Sequence, residues 1–226
     1  TTENFTRRAL WAQIDLDAAA HNMRVIRKHV GPDVRIAAVV KANAYGHGAV
    51  ELARVFAENG ADCFAVSSLD EGVELRRYAG ITKDIFILGD TDGRRTEEIL
   101  AHHIETSVIN VKNAEYYSDE ASSLGQTLQV HFAIDSRMSR VGFFPSEETI
   151  EAIKKIASLP RIEIRGIFTH FATADEKDKT FTHEQFKRFM WVCTRLENEG
   201  VHIPIRHCCH SAATLEMPEY HLDMVR

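Results

Sequence analysis

Short, almost wholly apolar runs rich in β-branched residues alternate with longer amphipathic stretches along nearly the whole chain, and no other feature narrows the fold as much. The runs predict strands at Arg35 to Val40, Cys63 to Val66, Asp84 to Leu88, Glu105 to Ile109, Gln129 to Ile134, Ile162 to Thr169, Ile205 to Cys209 and Leu222 to Val225. The stretches between them predict helices at Gly48 to Glu58, Ser68 to Tyr78, Arg94 to His102, Lys112 to Leu124, Ser146 to Ala157, Thr182 to Glu199 and a short one near Ser211. An earlier segment, Trp11 to Asp15, reads as a ninth strand ahead of a first helix over Asp17 to His29. Runs that are apolar throughout, rather than at every second residue, fit parallel strands buried on both faces. Repeated βα units of this kind predict an α/β fold, and a closed (β/α)8 TIM-like barrel rather than an open doubly wound sheet, since no Gly-rich dinucleotide turn is visible. We expect a strand segment over residues 1–16 and one barrel domain over residues 17–226. Ser146 and Asp17 stand where helix caps are wanted, and Gly60, Gly125 and Gly200 follow helices where a left-handed residue is favoured. An apolar run leads directly into Arg226 with no closing helix, so the barrel reads as cut short there.

Composition excludes several classes of function. Twenty-seven basic against 33 acidic residues give a net charge of -6, with no basic excess to grip a phosphodiester backbone, so no nucleic-acid partner is expected. At 44% hydrophobic and 27% charged the chain is globular rather than disordered or fibrous. Apolar stretches such as Ile36 to Val40 fall far short of the roughly 20 residues needed to cross a bilayer, so no membrane span is expected. The polar start, Thr1 to Arg8, has no secretory pattern. The cysteines, Cys63, Cys193, Cys208 and Cys209, are few and irregularly spaced, which suits reduced thiols in a cytoplasmic protein. Cys208-Cys209-His210 has no second CxxC or HxxxH module beside it, so no metal site is expected.

Barrel enzymes place their working groups where the strands end at the C-terminal rim. The polar residues there are Lys41, the Asp135 to Arg140 segment, His170, His210 with Ser211, and Arg226. A lysine finishing a buried apolar strand is costly unless it is neutral, covalently used or able to reach solvent, and the first two options suit a Schiff-base nucleophile. Asn43, Tyr45, Gly46, His47 and Gly48 after it form a tight polar turn whose glycines admit close backbone approach to a ligand. Taken alone, Arg140 reads better as a surface ion-pair residue, and His170 equally as a satisfied histidine at a strand end.

The segment Ala38-Val39-Val40-Lys41-Ala42-Asn43-Ala44-Tyr45-Gly46-His47-Gly48 resembles the signature of the alanine racemases. Further stretches resemble that family in the same order: Trp11 to Asp17 with His21-Asn22, Asp135 to Gly142 with Met138 and Arg140, Gly166 to Asp175 with Thr169-His170-Phe171-Ala172, Ser211-Ala212-Ala213, and Met224-Val225-Arg226. The resemblance implies a fold-type III barrel followed by a β-rich C-terminal domain, expected to be absent from this chain, in a head-to-tail homodimer. It implies pyridoxal 5'-phosphate (PLP) as cofactor, held by Lys41 as a Schiff base, with Tyr45 and the Ser211 turn at the phosphate and His170 against the ring. Arg226 would face the ring nitrogen and, being unable to give up a proton, would leave it unprotonated, favouring racemisation over transamination. Arg140 would clamp the substrate carboxylate. The implied catalytic residues are thus Lys41, Arg140 and His170, and the implied reaction interconverts L- and D-alanine by two-base proton transfer at Cα, supplying D-alanine for peptidoglycan. The second base would be a tyrosine of the partner subunit's C-terminal domain, so none of the five tyrosines here takes that role. Three positions depart from the family pattern: Ala133 where a lysine, often carbamylated, is common, Arg137 where a glycine is common, and His210 where an asparagine usually precedes the serine. The other readings are a non-catalytic PLP carrier on the same barrel, a related decarboxylase, and a racemase for serine or another amino acid.

Overall fold

The computed structural model describes residues 10–226, so the first nine residues of the expected segment 1–16 lie outside the described residues. Eight parallel strands run in the order β3-β2-β1-β8-β7-β6-β5-β4. They are β1 (Arg35–Val39), β2 (Cys63–Val66), β3 (Ile85–Ile87), β4 (Thr106–Val108), β5 (Leu128–Ala133), β6 (Ile162–Phe168), β7 (Ile205–His207) and β8 (Met224–Val225). A bridge between Phe86 and Glu105 joins β3 to β4 and closes the barrel. Ile87 N donates to Glu105 O at 2.9 Å there, and Glu105 N donates to Ile85 O at 2.8 Å.

The apolar runs divide by parity between two environments. Ile36, Phe64, Val66, Ile85, Val108, Val130, Phe132 and Ile167 belong to the large core shared with the surrounding helices. Their strand neighbours form small clusters inside the barrel, Ala37 with Cys63, Ile205 and Met224 in one, and Ala65 with Phe86, Ala133 and Phe168 in another. With both faces buried, each large side chain contributes about 1.5–3 kcal/mol to holding the sheet together.

The outer helices are α1 (Leu16–Val30), α3 (Ala49–Asn59), α4 (Leu69–Glu74), α5 (Thr96–Ala101), α6 (Val111–Ser123), α7 (Glu147–Ala157), α8 (Thr180–Asn198) and α9 (Ser211–Glu216), with a single turn, α2 (Lys41–Tyr45), after β1. Ser146 caps α7 as the sequence predicts, and Gly60, Gly125 and Gly200 take positive φ after α3, α6 and α8. Several elements differ from expectation. Trp11 to Asp15 is not a strand: both edges of β1 are already taken, by β2 and β8, and Trp11 is largely exposed. Asp15, rather than Asp17, caps α1, accepting from Ala18 N at 2.9 Å. The helix expected over Ser68 to Tyr78 loosens into a wider turn at Leu75–Ala79, and that over Arg94 to His102 starts as a 3-10 turn at Gly93–Arg95. β7 stops two residues early, because Cys208 and Cys209 both turn their thiols to the carbonyl of Tyr220. No described helix is long and apolar enough to cross a membrane.

Candidate active site

A cavity of about 440 Å³ opens at the C-terminal rim, and Lys41, Tyr45, Arg140, His170, Ser211 and Arg226 all line it. The six residues singled out in the sequence thus converge, although they come from five different strand-end segments. The size is that of a small-molecule site.

Lys41 begins an unusual piece of backbone. Ala42, Asn43, Ala44 and Tyr45 all have φ between 51° and 54°, one turn of left-handed helix, which costs L-residues roughly 1–2 kcal/mol each. Hydrogen bonds from every side offset that cost. Ala42 N donates to Glu71 Oε1 at 2.7 Å, Ala44 N to Val40 O at 2.8 Å, and Ala49 N to Asn43 Oδ1 at 2.8 Å. Gly46 and Gly48, at φ 89° and 95°, then return the chain to α3. Glu71 fastens the turn to β2 as well, accepting from Ser67 N at 2.7 Å and Ser67 Oγ at 2.8 Å. Burial raises the Glu71 carboxyl, but these donors outweigh it and hold the group below the usual carboxylate range. Backbone strain so firmly held is characteristic of functional sites. Tyr45, 62% exposed, leans toward Lys41, whose ammonium lies 5.9 Å from its ring centre.

Asp135, buried at the end of β5, organises the loop that carries Arg140. Its carboxylate accepts from Arg137 N at 3.0 Å, Ser139 N at 2.9 Å and Arg140 N at 2.8 Å. Arg137 sits at φ 92°, which explains why glycine suits that position. Ala133 packs between Phe86 and Phe168 in the barrel interior, so no charged group stands there; the Arg140 backbone is fixed by Asp135 instead.

His170 follows β6, its carbonyl accepting from Gln185, a fully buried residue of α8. Burial, reinforced by Arg226, His210, Arg140 and Lys41, pulls the imidazole down to about 3, so it is neutral under ordinary conditions. His210 caps α9 with its ring, Nδ1 accepting from Ala212 N at 3.2 Å, which is the role an asparagine would fill. Burial and then Arg226 lower its pKa, which keeps that acceptor bare. Arg226 is the most tightly held cation of the site. Its guanidinium donates to Thr169 O at 2.6 Å, to His207 Nδ1 at 2.9 Å and toward His170 Nδ1 at 3.4 Å. Burial brings it down to about 10, still a cation at neutral pH.

The electrostatic character follows from this inventory. Lys41, Arg140 and Arg226 face one cavity, and among the described residues none of them forms an ion pair. The carboxylate at the wall, Asp135, is engaged by backbone amides. Such a site attracts anions and can hold a neutral imidazole beside them. The sequence did not single out Glu71, whose place among helix residues looks ordinary, nor His207.

A profile of the family described as alanine racemase, N-terminal domain, matches residues 14–226. An alanine racemase of Clostridium perfringens is 48% identical over 219 residues, which cover 97% of this chain and 56% of that protein. One of Methanococcus maripaludis is 43% identical over 217 residues, covering 96% and 58%. Among solved structures, the alanine racemase of Clostridium difficile 630 superposes with a TM-score of 0.92 at 39% identity, over 96% of this chain and 56% of that one. That of Bacillus anthracis with bound L-Ala-P gives 0.87 at 34% identity, over 96% and 57%. The chain therefore spans little more than half the length of the relatives it matches.

Proposed function

Because the chain belongs to the alanine racemase N-terminal domain family, we propose that its barrel, residues 17–226, is the cofactor-bearing part of an alanine racemase that interconverts L- and D-alanine with PLP. The observation that carries this reading is the convergence of three cations without acidic partners on one cavity beside a histidine held neutral. That donor set fits PLP, which brings a phosphate, a phenolic oxygen, an aldehyde carbon for an amine and an apolar ring. Lys41 would hold the group covalently, Tyr45 and Ser211 would donate hydroxyls to its phosphate, His170 would lie against its ring and Arg226 would face the ring nitrogen. When bound, PLP supplies the electron sink that acidifies the substrate Cα–H.

The chain's own groups divide the remaining work. Arg140 presents a planar donor fork suited to the substrate carboxylate, fixing which face of Cα meets Lys41. Lys41, as a free amine, takes or returns the Cα proton on that face. Arg226, which stays a cation and only donates, would deliver no proton to a ring nitrogen held against it. No tyrosine of this chain is assigned to the opposite face. That base is expected from the partner subunit of a homodimer, and the physiological setting is the cytoplasm, where D-alanine serves peptidoglycan synthesis.

The test is to incubate the protein with PLP and each alanine enantiomer in D2O, following the cofactor's visible band, loss of the Cα proton and chirality. A band that Lys41→Ala abolishes, with exchange of the Cα proton in the unaltered chain and inversion only where the opposite base is also supplied, is the expected result. A band undiminished in Lys41→Ala would sink the assignment of Lys41, whereas PLP binding without exchange would favour a carrier.

A further inference from the structure

A column of hydrogen bonds descends from Arg226 through the barrel axis. Below the guanidinium, His207 Nε2 lies 3.3 Å from His131 Nδ1, and His131 Nε2 lies 2.8 Å from Glu105 Oε2. Glu105 Oε1 meets the guanidinium of Arg165 at 3.2 Å, at the opposite end of the barrel. His131 and His207 are fully buried, and Glu105 nearly so.

The chemistry at the two ends leaves the middle no freedom. Arg226 can only donate, so His207 Nδ1 must be bare and its proton must sit on Nε2. That proton points at His131 Nδ1, which must therefore also be bare, leaving His131 to donate from Nε2 to the Glu105 carboxylate. Only one set of tautomers satisfies every contact, and a second proton on either ring would set two donors face to face. Consistently, burial and then Arg226 push His207 well below the usual histidine range. The fold makes room for this arrangement. A Cβ at Gly166 would stand 2.6 Å from His131 Nδ1, so a glycine on β6 clears the space for that imidazole. Phe86 covers His131 at 4.3 Å between ring centres, and Phe168 stacks on His207 at 5.1 Å, so the column is sheathed in aromatic rings.

We infer that Glu105, His131 and His207 are positioning residues for the reaction proposed above, which orient Arg226 toward the cavity by fixing the direction of every hydrogen bond beneath it. The inference rests on that reading of the site. A carboxylate at the floor of the barrel thereby keeps a bare imidazole nitrogen facing an arginine at its mouth.

The experiment uses 15N-histidine-labelled protein and long-range proton–nitrogen correlation. In the unaltered protein His131 and His207 are expected as single neutral tautomers, protonated at Nε2. Glu105→Gln keeps the shape but can donate as well as accept, so the separation between the two His207 nitrogens should shrink as a second tautomer appears. With PLP added, the visible band should shift in the direction that Arg226→Lys shifts it. If His207 keeps its nitrogen shifts and the band keeps its position in Glu105→Gln, the inference is overturned, as it is if His207 is protonated at both nitrogens in the unaltered protein. Should Glu105→Gln fold poorly, His131→Gln interrupts the column one link further up and must give the same change at His207. If the unaltered protein forms no band with PLP, the reading of the site fails, while the nitrogen shifts still decide on the column.

Discussion

The two ends of the barrel hold their charges in opposite ways. At the N-terminal end Arg35 pairs with Asp84 at 2.8 Å, Arg165 reaches both Asp84 and Glu105, and Arg27 pairs with Asp62. At the C-terminal end Lys41, Arg140 and Arg226 face a cavity whose lining carboxylate, Asp135, is taken up by backbone amides. Paired charges hold a structure together and, once satisfied, have little affinity left for a ligand. Unpaired cations gathered at one rim do the reverse, adding self-repulsion to the folded chain and attraction for an incoming acid. The division follows from the strand direction, since one end of every strand opens on the loops that vary and the other on the floor that closes the barrel.

Substitutions can test how clean that division is. Arg165→Met at the floor leaves the nearly buried Glu105 without its guanidinium and is expected to cost about 3 kcal/mol, read from urea unfolding, with PLP binding retained. Acid should act on the rim. The unfolded chain takes up a proton at a histidine near pH 6.5, which His170 in the fold accepts only near 3. Stability contributed there is full above 6.5 and falls as the pH drops toward 3, and each such imidazole steepens the fall by up to about 1.4 kcal/mol per pH unit. His207 and His210 shift the same way, so unfolding followed across that range should be shallower for His170→Phe. Arg137→Gly relieves a positive φ and should stabilise the chain by about 1 kcal/mol in thermal or urea unfolding. Smallest in stability, Arg140→Gln should shift unfolding by no more than about 0.5 kcal/mol, since no partner is lost. Its effect should appear in affinity for the amino acid's carboxylate, roughly tenfold or more, as charge-assisted hydrogen bonds at about 1.5–3 kcal/mol imply. Were Arg140→Gln as destabilising as Arg165→Met, the contrast between the ends would collapse.

How much of this could be read in advance depends on whether a residue's role is local. The strands were legible because burial on both faces leaves an uninterrupted apolar run, and Lys41, His170 and Arg226 were legible because each follows such a run directly. The left-handed turn was not. Ala42 and Ala44 have no preference for positive φ, and the conformation is imposed by Asn43 from within and by Glu71 from the helix that follows β2. The column was hidden for a related reason, its members lying 26 and 76 residues apart. Its one trace is a histidine in each of two strand runs, His131 in β5 and His207 in β7. Trp11 to Asp15 misled because its pattern suits a strand while the barrel offers no free edge to receive it.

The seam between β3 and β4 has a consequence for how the molecule opens. β5 and β6 share a ladder of six residue pairs, whereas two backbone hydrogen bonds at Glu105 join β3 to β4. Fluctuations should open this seam before the β5–β6 ladder, so the amides of Ile87 and Glu105 should exchange with solvent deuterium sooner than those of that ladder. Since the same residue anchors the imidazoles beneath Arg226, each such excursion would also slacken the support of the rim, tying the rate of the barrel's breathing to the order of its mouth.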